Sequence, residues 1–265
     1  MIELLNGLNP LYSLSGLGVG ILVGLTGVGG GSLMTPLLIL AFGFHPATAV
    51  GTDLLYAAVT KSGGTVVHGL NRNVDWRLAG WLALGSVPAT GATLALLFHL
   101  GVTGKQAGGL MSAGLGVALL LTALAIFYRG RLLRWAESRP RRLSRDATIR
   151  TTIWLGAVMG LLVSVSSVGA GAIGVTALLL LYPGLPTARI VGTDIAHAVP
   201  LTLVAGIGHW MLGSVDWLLL VSLLVGSLPG IAIGSALAVR VPEAVLRPLL
   251  ATVLVVIGGK LLLSA

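Results

Sequence analysis

Apolar residues fill most of this 265-residue chain in long runs separated by short polar turns. Residues 12–42, 46–70, 76–99, 106–128, 152–182, 186–212, 215–239 and 244–264 each contain a run near the roughly 20 residues that a helix needs to cross a bilayer. The pattern predicts an all-α polytopic membrane protein. The first and fifth segments are too long for one simple span, and glycine interrupts each of them, as GVGGG at 27–31 and SVGAG at 167–171. Among the ionisable residues that enter the runs are Asp53, Lys61, Asp194 and the histidines His68, His197 and His209.

Composition strengthens this picture. The chain is 55% hydrophobic and 9% charged, with a mean hydropathy of +1.00. It contains no cysteine, which excludes a disulfide framework, thiolate catalysis and thiolate metal sites. The opening MIELLNGLNPLYSLSG lacks the positive region of a cleaved signal peptide and reads as mature sequence. Eight of the 16 Lys and Arg residues lie in 129–150, which reads as a cytoplasmic loop between two halves, 1–128 and 151–265. A sequence pI near 10.9 therefore reflects membrane orientation and contact with anionic headgroups, not nucleic-acid binding.

The halves resemble each other. Residues 45–100 set against 186–241 give 17 identities in 56 positions without a gap, including VGTD at 50–53 and 191–194 and VDW at 74–76 and 215–217. His68 faces His209, SVP at 86–88 faces SLP at 227–229, and the glycine-rich segments align with an offset shorter by one residue. Shared apolar composition does not align Asp, His, Trp and Pro in this way, so the expected architecture is a duplication. Each repeat has a Gly-broken first segment and about three further spans. If each broken segment is a hairpin, each half makes an odd number of crossings and the second is inverted. The basic loop, Arg72, Arg77, Arg189, Arg240 and Arg247 then share the cytoplasmic side, leaving mainly Lys105 outside, as the positive-inside rule prefers.

Paired halves with interrupted apolar segments at matching positions point to a secondary transporter with its site near the midplane. Glycine lets the backbone leave helical geometry and lets a ligand approach the main chain. The segment after each break can begin a half-helix whose free N–H groups and positive dipole end favour an anion. Gly29, Gly30, Gly31 and Ser32 in the first break, and Ser167, Gly169 and Gly171 in the second, are the backbone and hydroxyl candidates. Gly16 and Gly20 have GxxxG spacing and read as helix packing. No Lys-Ser or Lys-Thr follows the glycines, so they do not form a nucleotide phosphate loop.

The segment GVGGGSLMTPLLILAFGFHPATAVGTDLL and its second copy, around SVGAGAIGVTALLLLYPGLPTARIVGTDIAHA, resemble the sulfite exporter TauE/SafE family, also called the toluene sulfonate uptake permease family. The resemblance covers nearly the whole chain. It implies a bacterial-type inner-membrane carrier for sulfur-containing anions such as sulfite, sulfonates or related organic acids; no cofactor is expected. The second break departs from the first in having fewer glycines, and Ser164, Ser166 and Ser167 are alternative hydroxyl donors there.

Asp53 and Asp194 occupy equivalent positions inside apolar segments, where an ionisable residue signals function. They are candidates for proton coupling or for a structural role at half-helix N-termini. Thr52 and Thr193 are candidates for substrate hydrogen bonds. Lys61 breaks the symmetry, since Thr202 stands in its place in the second half; it attracts an anion, pairs with Asp53, or snorkels towards an interface. His197, whose counterpart is Tyr56, is a further candidate for the central cavity. Asp75 and Asp216 read as helix caps, and Trp76 and Trp217 as interfacial residues. An enzyme is disfavoured by dispersed histidines and the absence of HExxH. An anion channel and a partner-dependent membrane subunit are the alternatives, and small-residue faces permit a homodimer.

Overall fold

A computed structural model of the chain describes residues 9–26, 31–99, 105–138, 144–169, 171–238 and 243–264. Gly27, Gly29, Gly30 and Arg240 lie outside the described residues. Those described form helices and no strand: α1 (Pro10–Thr26), α2 (Gly31–Leu40), α3 (Pro46–Leu70), α4 (Trp76–His99), α5 (Lys105–Ser138), α6 (Arg145–Ser166), α7 (Ala172–Leu181), α8 (Thr187–Met211), α9 (Trp217–Ala238) and α10 (Glu243–Ser264).

Among the described residues, five stretches are long and apolar enough to cross a membrane: 76–99, 109–134, 145–166, 187–211 and 217–234. Shorter apolar helices cover 10–25, 172–181 and 250–263. Helix α3 is as long as α8, at 25 residues, but Asp53, Lys61 and its small polar residues make it less apolar than a typical span. Its stretch Ala49–Ala58 is buried inside the protein, which removes the need for an apolar surface there. Outward faces carry large apolar side chains, with Phe98 70% and Trp154 73% exposed, as lipid contact requires.

The arginine-rich segment is less of a loop than its polarity suggests. Helix α5 runs through Ser138 and α6 begins at Arg145, so most of 129–150 is helical. Arg, Leu, Ala and Glu are strong helix formers. The change of polarity at 129 therefore marks a change of surroundings, while the helix continues.

Local capping follows the sequence closely. Asp75 Oδ1 accepts from Leu78 N at 3.2 Å and Asp216 Oδ1 accepts from Leu219 N at 2.9 Å, so each caps the helix after it. Helices α3 and α8 end alike: Arg72 and Gly213 adopt left-handed φ values of 55° and 72°, and Asn73 N and Ser214 N reach back to His68 O and His209 O at 2.8 and 2.9 Å.

Contacts between the halves are reciprocal. Helix α1 packs on α9 and α4 on α6, while α3 crosses α8 and α5 meets α10. A Cβ added at Gly16 or Gly20 would strike the carbonyl of Leu223 or Ser227, and one at Gly156 or Gly160 would strike that of Leu82 or Ser86. The GxxxG reading of Gly16 and Gly20 thus describes a close parallel contact between α1 and α9. Helices α3 and α8 run antiparallel, with Gly206 against Leu55, Gly64 against Ile195 and Gly192 against His68. Because α1 runs parallel to α9 and only residues 41–45 join α2 to α3, the first broken segment enters and returns on one face. The segment α6–α7 does the same on the opposite face.

Two hydrogen bonds tie the halves at these faces. Thr193 Oγ1 accepts from Asp75 N at 2.9 Å, and Thr52 Oγ1 accepts from Asp216 N at 3.0 Å. Thr193→Val should leave Asp75 N–H without its partner and cost about 1–3 kcal/mol. A lowered unfolding midpoint in detergent, recovered in Thr193→Ser, is the expected result.

Candidate functional site

The second break has the backbone that its sequence demands. Ser167 ends α6 in the left-handed region at φ 57°, and Gly169 and Gly171 stand at φ 129° and 122°, where a side chain would be strained. Ser166 Oγ closes the helix end, donating to Leu162 O at 2.6 Å and accepting from Val168 N at 3.1 Å. Ser164 Oγ donates to Gly160 O at 2.6 Å, while its carbonyl accepts from His209 Nε2 at 2.8 Å. Of the three serines proposed as donors, Ser167 is the one whose buried hydroxyl is directed at a side chain of the centre, the Asp53 carboxylate.

The two buried aspartates sit at the starts of the half-helices. Thr35, in α2, donates its hydroxyl to Asp53 Oδ2, and its main-chain N–H is directed at the same carboxylate. The Gly171 N–H is directed at the Asp194 carboxylate, and a Cβ on Gly174 would strike Asp194 Oδ1. The protein thus places its own negative groups at the positive ends of α2 and α7, the structural role available to these residues from sequence. Ser167 stands beside Asp53, so the segment 167–171 reaches from the aspartate of one half towards that of the other.

Lys61 lies eight residues beyond Asp53 on α3, about 12 Å along the helix at 1.5 Å per residue. The antiparallel crossing sets it opposite the middle of α8. Its ammonium is within electrostatic reach of Asp194, Asp53 and His197, and it forms no ion pair among the described residues. His197 Nε2 is 2.9 Å from Ser86 Oγ. At the corresponding positions of the first half and its neighbour, Tyr56 stands beside Ser227. Asp53 Oδ1, Asp194 Oδ1, Tyr56 Oη, His197 Nδ1, Ser167 Oγ and Ser227 Oγ are all buried polar atoms outside the well-formed hydrogen bonds, with Ser167 facing the Asp53 carboxylate and Ser227 facing Tyr56. Buried polar atoms are normally paired, so this concentration around α3 and α8 distinguishes a candidate polar site from apolar core.

The structure therefore brings together Asp53, Lys61, Ser167, Gly171, Asp194 and His197. Gly31 and buried Ser32 begin α2, and Gly169 shapes the second break. Thr52 and Thr193 are placed elsewhere: Thr193 accepts from Asp75 N and donates to Arg189 O at 2.6 Å, and Thr52 holds the Asp216 turn. Arg189 lies at the same face as Asp75 and pairs with its carboxylate at 3.3 Å, partly exposed. Sequence reasoning missed Thr35, which has no counterpart hydroxyl, since Val175 aligns with it. Ser86 and Ser227 had a signal in the matched SxP motifs. Among the described residues, no group of His, Asp or Glu is arranged to hold a metal ion.

Apolar helices around a buried, charged centre with broken segments define a multi-pass membrane transporter. The chain belongs to the sulfite exporter TauE/SafE family, which matches residues 12–261. It is 39% identical over 252 residues to the probable membrane transporter protein YjnA of Bacillus subtilis (strain 168), covering 94% of this chain and 98% of that relative. It is 29% identical over 229 residues to the probable membrane transporter protein YdhB of the same organism, covering 86% and 90% of the two chains. A probable membrane transporter protein of Xylella fastidiosa is 27% identical over 227 residues, covering 84% and 82%. No solved structure matches the chain.

Proposed function

We propose that the protein is a secondary carrier for sulfur-containing anions such as sulfite or an organic sulfonate. It works by alternating access in a bacterial-type inner membrane, with the arginine-rich segment on the cytoplasmic side. The observation that carries this reading is Lys61, a partly buried cation without an ion pair among the described residues and within electrostatic reach of Asp53 and Asp194, the carboxylates at the two half-helix starts. The two halves are read as inverted repeats, a reading supported by the 17 aligned identities, the antiparallel α3 and α8, and the reciprocal threonine bonds.

In this mechanism the anion sits against Lys61 and takes hydrogen bonds from nearby hydroxyls, with Ser167 and Tyr56 as the leading donors. Asp53 and Asp194 compete with it for the lysine's charge. Protonating either carboxylate removes one competing negative charge, which makes uptake of an anion and a proton mutually favourable. Rocking of α1/α9 and their neighbours against α4/α6 then opens the centre to one face at a time.

Counterflow in liposomes tests the carrier mechanism. Unlabelled sulfite inside should drive transient accumulation of labelled sulfite above its equilibrium level. An inward proton gradient should enlarge the initial rate after correction for protonation of sulfite itself. Saturable exchange supports a carrier; passive equilibration without counterflow indicates a channel instead.

A further inference from the structure

Away from the central polar cluster, a groove of about 710 Å³ opens between the N-terminal ends of α4 and α6, lined by Trp76, Arg77, Gly80, Trp81, Leu84 and Arg145. Its composition is two-sided. Arg77 and Arg145 are exposed, and the only ion pair among the described residues joins Arg189 to Asp75, so neither groove arginine is neutralised that way. Asp146, the acidic residue in the first turn of α6, is exposed beside Arg145. Trp76 is 63% exposed, Trp81 is half-buried, and Leu84, two turns into α4, is 64% exposed.

The position of the groove explains this mixture. Helices α4 and α6 run parallel through close contacts of Leu82 with Gly156 and Ser86 with Gly160, a register in which α6 begins about 7.5 Å before α4 and carries Arg145 past the level of Trp76 and Arg77. Tryptophan with a wet edge and an apolar body suits the headgroup region. Below the arginines, exposed Leu84 continues the groove as a surface suited to hydrocarbon. A soluble anion needs the positive charge but has no use for this apolar continuation.

We infer that this groove binds an anionic phospholipid, with Arg77 and Arg145 on the phosphate, Trp76 and Trp81 flanking the headgroup, and an acyl chain along Leu84. Basic pockets between transmembrane helices are suited to such headgroups, and each basic residue near an anionic lipid surface is worth about a fivefold gain in affinity. The lipid bridges α4 and α6 at one face, clear of Lys61 and the breaks.

The test uses purified full-length protein in detergent, titrated with phosphatidylglycerol or phosphatidylcholine carrying brominated acyl chains, and reads tryptophan quenching. Wild type should bind brominated phosphatidylglycerol about 25-fold more tightly than phosphatidylcholine. The double variant Arg77→Ala/Arg145→Ala should lose that preference while keeping its unfolding midpoint, and Arg77→Lys/Arg145→Lys should keep most of it. Equal affinity for the two lipids in wild type, or an undiminished preference in the alanine variant, overturns the proposal. Displacement of the lipid by millimolar inorganic sulfate at constant ionic strength also overturns it, by assigning the groove to a soluble anion.

Discussion

Lys61→Ala should reduce anion flux by about two orders of magnitude while leaving the protein inserted and folded. Truncating one partner of a buried, hydrogen-bonded charge pair costs about 2–5 kcal/mol, and each 1.4 kcal/mol is a factor of ten; Lys61 is partly buried, so the lower part of that range applies. The cost is borne by binding because Lys61 has no ion pair to lose among the described residues. Removing it leaves Asp53 and Asp194 facing an incoming anion without a compensating cation. Lys61→Arg should retain part of the flux with altered substrate preference, since the charge remains and the donor geometry changes. Initial rates in liposomes, normalised to inserted protein, decide this. Unchanged affinity and rate in Lys61→Ala would assign the side chain to snorkelling at a boundary.

Gly171→Leu should be nearly as damaging for a different reason. At φ 122° an L-residue is strained by roughly 1–3 kcal/mol, and relaxation of that strain turns the main-chain N–H away from Asp194. The start of α7 then loses its carboxylate, and the 167–171 segment no longer holds Ser167 beside Asp53. Flux should fall to background while solubility and helix content by circular dichroism stay close to wild type. Gly63→Ala is the matched control, because a Cβ there meets nothing within 4 Å. Wild-type transport in folded Gly171→Leu would remove the second break from the proposed site.

Much of the architecture was legible because hydration of apolar side chains and of the backbone constrains a membrane chain so tightly. Runs of apolar residues had to be helices, and dense glycine inside them had to mark interruptions. Asp75 and Asp216 could be read as caps since capping is decided within three residues. The end of α5 was misplaced because polarity reports where the surroundings change, whereas helix continuation depends on propensity in RGRLLRWAES.

The site was legible in its ionisable residues and less so in its hydroxyls. An aspartate or lysine in an apolar segment is conspicuous; a threonine is not, and its task depends on what the other half brings near it. Thr52 and Thr193 looked like ligands from their place in VGTD, yet the antiparallel crossing of α3 and α8 delivers the Asp216 and Asp75 turns onto their hydroxyls. The same crossing makes Lys61, in one half, a neighbour of Asp194 and His197 in the other. No local pattern specifies that meeting.

The central claim, a sulfur-anion site inside a membrane carrier, is tested most directly by labelled sulfite uptake into liposomes containing the purified protein, beside protein-free liposomes. The account predicts saturable uptake that an organic sulfonate inhibits competitively and that Lys61→Ala removes. Uptake no faster than in protein-free liposomes, from demonstrably folded protein and with sulfite, sulfonates and sulfate each supplied as the labelled anion, would contradict it.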